Sequence, residues 1–262
     1  EDMLLPLDYS KIPNFKNMDA KYLNLEYVPE NLYTVPYMWG VTGIIYNTTM
    51  VDKPLTSWMD LFTTELRGQV LMFDNPRDGL GIALKALGYS FNTTDPQELQ
   101  EATDLLIRQK EQGIVQSYVM DQIFDKMINN EAAIGVYYAG DFLTMVEENP
   151  DLAFSIPSEG SNLFVDALCI PVGAENVDNA HAFINFLSSD EVILKNCDYI
   201  GYSTASKTAY AKMDPEMSAD PIAYPSDKVL AGCETYNGLP EETLTLYDRM
   251  WIYLGLAKIK YN

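Results

Sequence analysis

Short apolar runs alternate with segments of helical periodicity along most of this chain. Three runs predict extended structure: the first an extended run that ends in a turn, the second a strand and the third a buried strand. They are TVPYMWGVTGIIYN (34–47), QVLMFDNP (69–76) and AAIGVYYAG (132–140). Such alternation of strands with helices predicts an α/β architecture.

Helix signals lie between these runs. LTSWMDLFTTELRG (55–68) predicts a short helix capped by Thr56 or Ser57, and a further helix begins near Asp78. QSYVMDQIFDKMINNE (116–131) also predicts a helix. The clearest helix is TDPQELQEATDLLIRQKEQG (94–113), which has an early proline, acids in its first turn, bases in its last and a terminal glycine.

The segment from Ser161 to Ser206 is the most informative part of the chain. SNLFVDALCIPVG predicts a strand with one aromatic and one carboxylate, and DNAHAFINFL predicts an amphipathic helix. In that helix the spacing of Ala180, Phe183, Ile184 and Leu187 indicates the buried face, which leaves His181 on the surface. IGYSTAS then predicts a second short crossing segment, and the whole order is typical of the hinge of a solute-binding protein rather than of a catalytic motif.

The charge composition of the chain restricts the class of ligand that it is expected to bind. The 262 residues carry a formal net charge of −21, with 17 Lys and Arg against 38 Asp and Glu. Nucleic acid binding needs a basic patch, so this balance argues against it and favours a cationic ligand. The alternative is that the acidity serves solubility alone.

Common catalytic and metal motifs are missing from the sequence. One histidine and three cysteines without a CxxC pair argue against Ser-His-Asp or Cys-His catalysis and against a histidine-rich zinc site. Neither GxxxxGK[ST] nor GxGxxG occurs. The sequence therefore predicts no cofactor, no metal and no enzymatic activity.

Carboxylates beside aromatics are the remaining candidate chemistry. Asp74, Asp78 and Asp166 each follow or end an apolar strand, where open α/β sheets bind ligands. An ammonium gains ~0.5–2 kcal/mol from an aromatic face and ~1.5–3 kcal/mol from a hydrogen bond to a carboxylate. Taken singly, each aromatic is more often a residue of the core or of a strand pair than a ligand contact. The aromatic candidates are Tyr37, Trp39, Tyr137, Tyr138, Phe164 and Tyr202.

Over its whole length the chain resembles the spermidine/putrescine-binding proteins of bacterial ABC importers. The matching motifs, in the order that family shows them, are DYSKIPNFKNMD, VPYMWGVTGIIYN, LTSWMDLF, RGQVLMFDNPRD, ALGYSFNTTDPQEL, AAIGVYYAGDF, LFVDALCIP, FINFLSSDEV and IGYSTAS. The resemblance implies a type II periplasmic-binding fold of two lobes joined by crossing strands. Such a protein closes like a hinge over a polyamine and delivers it to a membrane permease.

The resemblance also implies lobe boundaries. Residues 1–43 and 165–205 would form the first lobe, and residues 44–164 and 206–262 the second. Family members have further strands and a helix before the equivalent of EDMLLPLDYSKIPNF, so the first lobe is expected to be incomplete here. We expect a dimer formed through that lobe, an extracytoplasmic location, and a parent protein that is either free, lipid-anchored or fused to a permease.

Polar ligand contacts are implied at four positions. Asn75 and Asp78 match the family's pair that holds one terminal amine. Asp166 matches the acid for an inner or second amine, and Asn237 matches a polar terminal contact. Asn75 is neutral where relatives commonly have an acid, and Asp141 is a candidate replacement charge.

Aromatic ligand contacts are implied at three positions. Tyr138 and Phe164 match the residues that sandwich the alkyl chain, at places often held by tryptophan, and Tyr202 matches a tyrosine beside the ligand. These departures would shift preference among polyamines, so the choice between putrescine and spermidine stays open.

Two alternatives remain from the residues. Adjacent tyrosines like Tyr137 and Tyr138 also occur in ferric-ion-binding relatives of the same fold. In those proteins phenolates and carboxylates bind a hard cation. A carboxylate-based hydrolase is the other alternative, and the sequence disfavours it because no activated nucleophile accompanies the acids.

Overall fold

The computed structural model describes residues 3–259. Residues 1–2 and 260–262, with which the predicted lobes begin and end, lie outside the described residues. Strands and helices alternate along the chain, so the α/β prediction is confirmed. The strands are β1 Val35–Asn47, β2 Val70–Phe73, β3 Val115–Val119, β4 Ile134–Tyr138, β5 Leu152–Ser155, β6 Leu163–Leu168 and β7 Ser203–Thr204.

Helices of two kinds connect these strands. The α-helices are α1 Pro76–Ala86, α2 Pro96–Glu111, α3 Ile123–Ile128, α4 Ala139–Glu148, α5 Val177–Leu187, α6 Asp190–Ile200, α7 Lys207–Tyr210, α8 Pro215–Ser218, α9 Asp227–Leu230 and α10 Glu241–Leu256. Short 3-10 helices occupy Tyr9–Lys11, Pro13–Asn17, Ala20–Tyr22, Pro29–Asn31, Trp58–Phe62 and Thr64–Leu66.

The chain divides into two compact units. The first comprises Glu1–Gly40 and Phe164–Pro225, and the second Val41–Leu163 and Ser226–Asn262. Residues 206–225, which the sequence assigned to the second lobe, pack within the first unit: Tyr224 contacts Trp39, and Ser206 pairs with Met18. The lobe boundaries that the resemblance implies, 1–43 with 165–205 and 44–164 with 206–262, stay a prediction.

A sheet with the strand order β3-β2-β4-β1-β5 forms the core of the second unit. β2 runs parallel to β3 and β4, whereas β1 pairs antiparallel with β4 and β5. All four residues of β2 are buried, which explains its continuous apolar sequence. Helix α1 packs against α2 and α10. Gly79 of α1 allows α10 to come close, because a Cβ at position 79 would lie 2.4 Å from the ring of Trp251 on α10.

Local signals explain most helix ends in this unit. Ser57 and Asp60 form a capping box at the 3-10 helix Trp58–Phe62. Asp95 caps α2, Pro96 is its first residue, and Gly113 follows its end with a φ of +70°. These helices were predicted from the same residues, and the prediction is confirmed.

One helix prediction was wrong over its first third. In 116–131 the structure has the end of β3, followed after a turn by the short helix α3. Val115 and Val119 are buried, and the backbone between them pairs in parallel with β2. Pairing with the sheet outweighed the weak local helical pattern, because β propensity expresses packing on a sheet more than backbone preference.

Helices packed beside short strands form the core of the first unit. Its β7 pairs antiparallel with β1 through Met38 and Trp39. The buried core side chains are Leu7, Ile12, Met18, Val35, Met38, Ile170, Ile184, Ile193, Cys197, Ala209 and Met213.

The buried face of α5 differs from the predicted one. His181 is buried at 3% exposure beside Ile184, whereas Phe183 is 59% exposed. The imidazole is satisfied at both nitrogens, since Nε2 accepts a hydrogen bond from the backbone N–H of Asp8 at 2.9 Å and Nδ1 lies 2.8 Å from the carbonyl oxygen of Val177. The surface assignment of His181 was therefore wrong, because two hydrogen bonds offset the cost of burying the ring.

Candidate functional site

The sequence-predicted polar residues of the second unit meet at the start of α1. β2 ends at Phe73, and Asn75 is the N-cap of α1, with extended backbone angles and Pro76 following it. Its side-chain Oδ1 accepts a hydrogen bond from the backbone N–H of Asp78 at 2.8 Å. This is ordinary N-cap chemistry, and it places Asp78 in the first helical turn, where the helix dipole favours a negative charge.

The carboxylate of Asp78 is held at both oxygens. Asn75 Nδ2 donates to Oδ2 at 2.7 Å, and the hydroxyl of Tyr236 donates to Oδ1 at 2.9 Å. Asp78 is only 8% exposed, and desolvation raises the pKa of its carboxyl above the ordinary value, while the hydrogen bonds and the charge of Arg77 act in the opposite direction. A desolvated, oriented carboxylate of this kind gains strongly from an arriving cation.

The segment 234–237 brings further polar groups to this place. Asn92 accepts a hydrogen bond at Oδ1 from the backbone N–H of Asn237 at 2.8 Å and donates from Nδ2 to the carbonyl of Thr235 at 2.8 Å. Arg77 lies with its guanidinium 4.6 Å from the ring centre of Tyr236. The predicted contact Asn237 is thus held in the same unit as Asp78. We call Asn75, Arg77, Asp78 and Tyr236 the Asp78 group.

Tyr138 ends β4 in the same unit. Its ring lies 5.3 Å from that of Phe73 and 4.8 Å from that of Tyr137. Its phenol is close enough to Tyr236 to contribute to the raised pKa of that residue, whose main cause is burial. Tyr138 is half-buried, and it therefore offers an aromatic face beside the Asp78 group.

Its neighbour Tyr137 serves the fold instead. It is buried at 3% exposure, and its hydroxyl donates to the carboxylate of Asp121 at 2.7 Å. Desolvation, this hydrogen bond and the charge of Asp141 all raise its pKa. A phenolate at Tyr137 is thereby disfavoured, and the described residues hold no group of three or more His, Cys, Asp or Glu side chains arranged for a metal ion. The geometry does not favour the ferric alternative.

The first unit carries the remaining predicted contacts on and near β6. Phe164 and Tyr202 have ring centres 5.9 Å apart with an interplanar angle of 62°. The ring of Phe164 rests on Gly40, where a Cβ would lie 2.7 Å from the ring. Glycine at position 40 therefore fixes where this aromatic face lies.

Asp166 lies two residues after Phe164, on the same face of β6. It is an exposed residue, yet neighbouring atoms desolvate its carboxyl and raise its pKa. Tyr27 lies close enough for the charge of Asp166 to raise the pKa of its phenol, after the larger effect of desolvation. We call Tyr27, Phe164, Asp166 and Tyr202 the Asp166 group.

Other aromatic candidates from the sequence are structural. Trp39 is 1% exposed, its indole N–H donates to the carbonyl of Thr204 at 2.9 Å, and its ring lies 5.2 Å from that of Tyr22. The hydroxyl of Tyr37 accepts a hydrogen bond from Asn196 at 2.6 Å. Asp74, next to Asn75 in the chain, is exposed.

Sequence reasoning missed Tyr27, Arg77 and Tyr236. Tyr236 stands directly before the predicted contact Asn237, but its partner Asp78 is 158 positions away in the chain. No local pattern connects two residues so far apart. Arg77 offered a weak signal, as a lone cation between Asn75 and Asp78.

No helix among residues 3–259 is both long enough and apolar enough to cross a membrane. The family model for bacterial extracellular solute-binding proteins matches residues 1–225. This chain belongs to that family, and the predicted fold is confirmed.

Individual relatives indicate more narrowly than the family model which solute-binding proteins this chain is similar to. The chain is 34% identical over 252 residues to the spermidine/putrescine-binding periplasmic protein of Salmonella typhimurium, covering 96% of this chain and 72% of that protein. It is 30% identical to the putrescine-binding periplasmic protein PotF of Escherichia coli, with 97% and 73% covered.

A solved structure of a polyamine transporter's substrate-binding protein is also similar to this chain. The substrate-binding protein PotD of the spermidine/putrescine ABC transporter of Streptococcus pneumoniae, crystallised with calcium and HEPES, superposes with a TM-score of 0.87 at 37% identity. The alignment covers 98% of this chain and 79% of that one. The predicted resemblance to polyamine-binding proteins is confirmed.

Proposed function

We propose that this chain binds a polyamine of the spermidine and putrescine class as the substrate-binding component of a bacterial ABC importer. The observation that carries the proposal is the buried carboxylate of Asp78, oriented by Asn75 and Tyr236. The names of the relatives support the same ligand class. The protein binds and releases its ligand without chemical turnover.

Capture of an ammonium at Asp78 follows from its electrostatics. Burial makes the lone carboxylate costly, which is why its pKa is raised. An alkylammonium ion replaces the lost water with a charge-assisted hydrogen bond worth ~1.5–3 kcal/mol. Binding and ionisation of Asp78 therefore favour each other.

Asp166 is the second carboxylate that we propose as an ammonium acceptor. Phe164 and Tyr202 add aromatic faces suited to methylene groups and to a cation, at ~0.5–2 kcal/mol for each good cation contact. A ligand with two or three ammonium groups separated by methylenes has the chemistry that these side chains recognise. Tyr138 is the proposed aromatic contact of the second unit, and Asn237 a polar one.

Family membership supports a proposal for location and partners. We propose an extracytoplasmic location and delivery of the ligand to a membrane permease, as the importer names of the relatives suggest. Hinge closure over the ligand, fusion to a permease and a dimer formed through the first lobe stay predictions. Light scattering at high protein concentration tests the dimer, and a strict monomer would refute it.

Titration calorimetry with spermidine, putrescine and cadaverine tests the proposal. We expect saturable binding of at least one of them, and none of 1,4-butanediol, which has the length of putrescine without its charges. The Asp166→Ala variant should bind more weakly. Absence of binding for all three amines by a folded wild-type chain would refute the proposed ligand class for this chain.

A further inference from the structure

We infer that Tyr236 is a positioning residue for Asp78, holding its carboxylate in the orientation that accepts an ammonium group. The inference rests on the proposed function and extends it to a residue outside the predicted contacts. The single proton of the Tyr236 hydroxyl has two acceptors within reach, Asp78 Oδ1 at 2.9 Å and the carbonyl oxygen of Arg77 at 3.2 Å, and the shorter contact is to the carboxylate. Asn75 donates to Oδ2 at 2.7 Å. With one donor on each oxygen, the plane of the carboxylate is fixed, and the remaining lone pairs stay free for a ligand.

Tyr236 itself is held rigidly. Its ring meets that of Phe91 edge-on, with centres 5.5 Å apart, and the guanidinium of Arg77 lies 4.6 Å from its centre. Gly81 makes room for this packing, because a Cβ there would lie 2.5 Å from the Phe91 ring and 3.0 Å from the Tyr236 hydroxyl. A hydroxyl fixed in this way is a better orienting donor than one on a mobile side chain.

The charged and titratable groups around Asp78 make the role of Tyr236 measurable. Arg77 on α1 lowers the pKa of Asp78, and so does the hydrogen bond from Tyr236, whereas desolvation raises it more strongly. The phenol of Tyr138 on β4 acts on the pKa of Tyr236. Removing the Tyr236 hydroxyl takes away one of the effects that keep Asp78 ionised, so the pKa of Asp78 should rise further.

The Tyr236→Phe variant tests this inference, with Tyr247→Phe as the matched control. Tyr247 also lies near Arg77, at 5.3 Å, but its hydroxyl donates to the carbonyl of Phe91 and not to Asp78. In the ligand-free protein, carbon-detected NMR should show a higher pKa for Asp78 in Tyr236→Phe and no change in the control. Spermidine affinity should fall about tenfold, or ~1.4 kcal/mol, and the loss should grow as the pH is lowered.

A double-mutant comparison separates positioning from a general structural role. In an Asp78→Asn background, Tyr236→Phe should cause little further loss of affinity. An equal loss with and without Asp78, or an unchanged pKa of Asp78 in Tyr236→Phe, would overturn the inference. If the folded wild-type chain bound no polyamine, the proposed function and the ligand role of Tyr236 would both fall. If it bound normally while Asp78 titrated alike in both proteins, only the inference would fall.

Discussion

The two units present their candidate carboxylates in opposite ways. Asp78 is buried at the first turn of α1, with a donor on each oxygen. Asp166 is exposed on a β-strand, and desolvation is what shifts its pKa. The Asp78 group is organised by hydrogen bonds, whereas the Asp166 group is organised by aromatic packing on Gly40. One unit thus offers a pre-oriented charge, and the other offers a charge beside an apolar face.

This difference suggests separate tasks for the two groups. An oriented, desolvated carboxylate discriminates strongly between a cation and a neutral group, since an unpaired buried charge is costly. An exposed carboxylate is more strongly screened by water and salt, so it contributes less and depends more on ionic strength. Aromatic faces accept methylenes of several lengths. Substitutions should therefore reduce affinity most at the buried Asp78 and less in the Asp166 group.

Asp78→Asn should cause the largest loss of polyamine affinity. We expect about a 100-fold weaker Kd, because a hydrogen bond to a charged group is worth ~1.5–3 kcal/mol and ~1.4 kcal/mol is tenfold. Calorimetry measures the loss, and Asp248→Asn is the control, since Asp248 is an exposed acid on α10 of the same unit. Equal affinities for wild type and Asp78→Asn would remove Asp78 from the site.

Asp166→Asn should weaken binding less, by about tenfold, because its exposed charge is better solvated. The affinity difference between wild type and this variant should also shrink as salt is added, more than for Asp78→Asn. Asp198→Asn, at another exposed acid of the first unit, should leave the Kd unchanged. A loss at Asp166 that exceeds the loss at Asp78 and resists salt would invert the contrast.

Gly40→Ala tests the aromatic part of the Asp166 group. The new methyl would lie 2.7 Å from the Phe164 ring, so the ring must move. Displacing a side chain from its rotamer costs ~0.5–1.5 kcal/mol, which predicts roughly two- to twelvefold weaker binding if the ligand has to restore the ring position. Gly255→Ala is the control, because a Cβ there meets nothing within 4 Å. Wild-type affinity in Gly40→Ala would show that the position of Phe164 is unimportant.

His181→Ala should change stability without changing affinity. The variant removes the acceptor of the Asp8 N–H and leaves a gap beside Ile184, so we expect unfolding to become easier by about 1–3 kcal/mol. Denaturant unfolding measures this, with Asn179→Ala on the exposed face of α5 as control. An altered Kd in a folded His181→Ala protein would contradict the separation of the core of the first unit from its ligand contacts.

Much of the fold was predictable because its signals are local. Asp95, Pro96 and Gly113 bound α2, and the continuous apolar run of β2 matches its complete burial. The wrong predictions share a different cause. β3 exists because of its pairing with β2, and the buried face of α5 depends on the backbone of Asp8, 173 positions away from His181.

Contacts between residues that are distant in the chain also limited the prediction of the candidate site. Asn75 was implied by the resemblance alone, and Asp78 by the resemblance and by its place after an apolar strand; the N-cap bond that joins them became visible only in the structure. Tyr236 was missed because only the folded chain brings it to Asp78. The predicted contacts identify which residues have suitable chemistry, and the structure adds which donors orient them.

We propose that the buried carboxylate of Asp78 accepts an ammonium group of the ligand. Calorimetry of spermidine binding at mildly acidic pH, in buffers of different ionisation enthalpy, tests it most directly. Desolvation raises the pKa of Asp78, so its carboxyl keeps a proton to higher pH than an exposed aspartate does, and a bound cation favours the ionised form. We therefore predict release of protons on binding, reduced in Asp78→Asn and retained in Asp248→Asn. Binding without proton release, or with the same release in Asp78→Asn, would contradict the account.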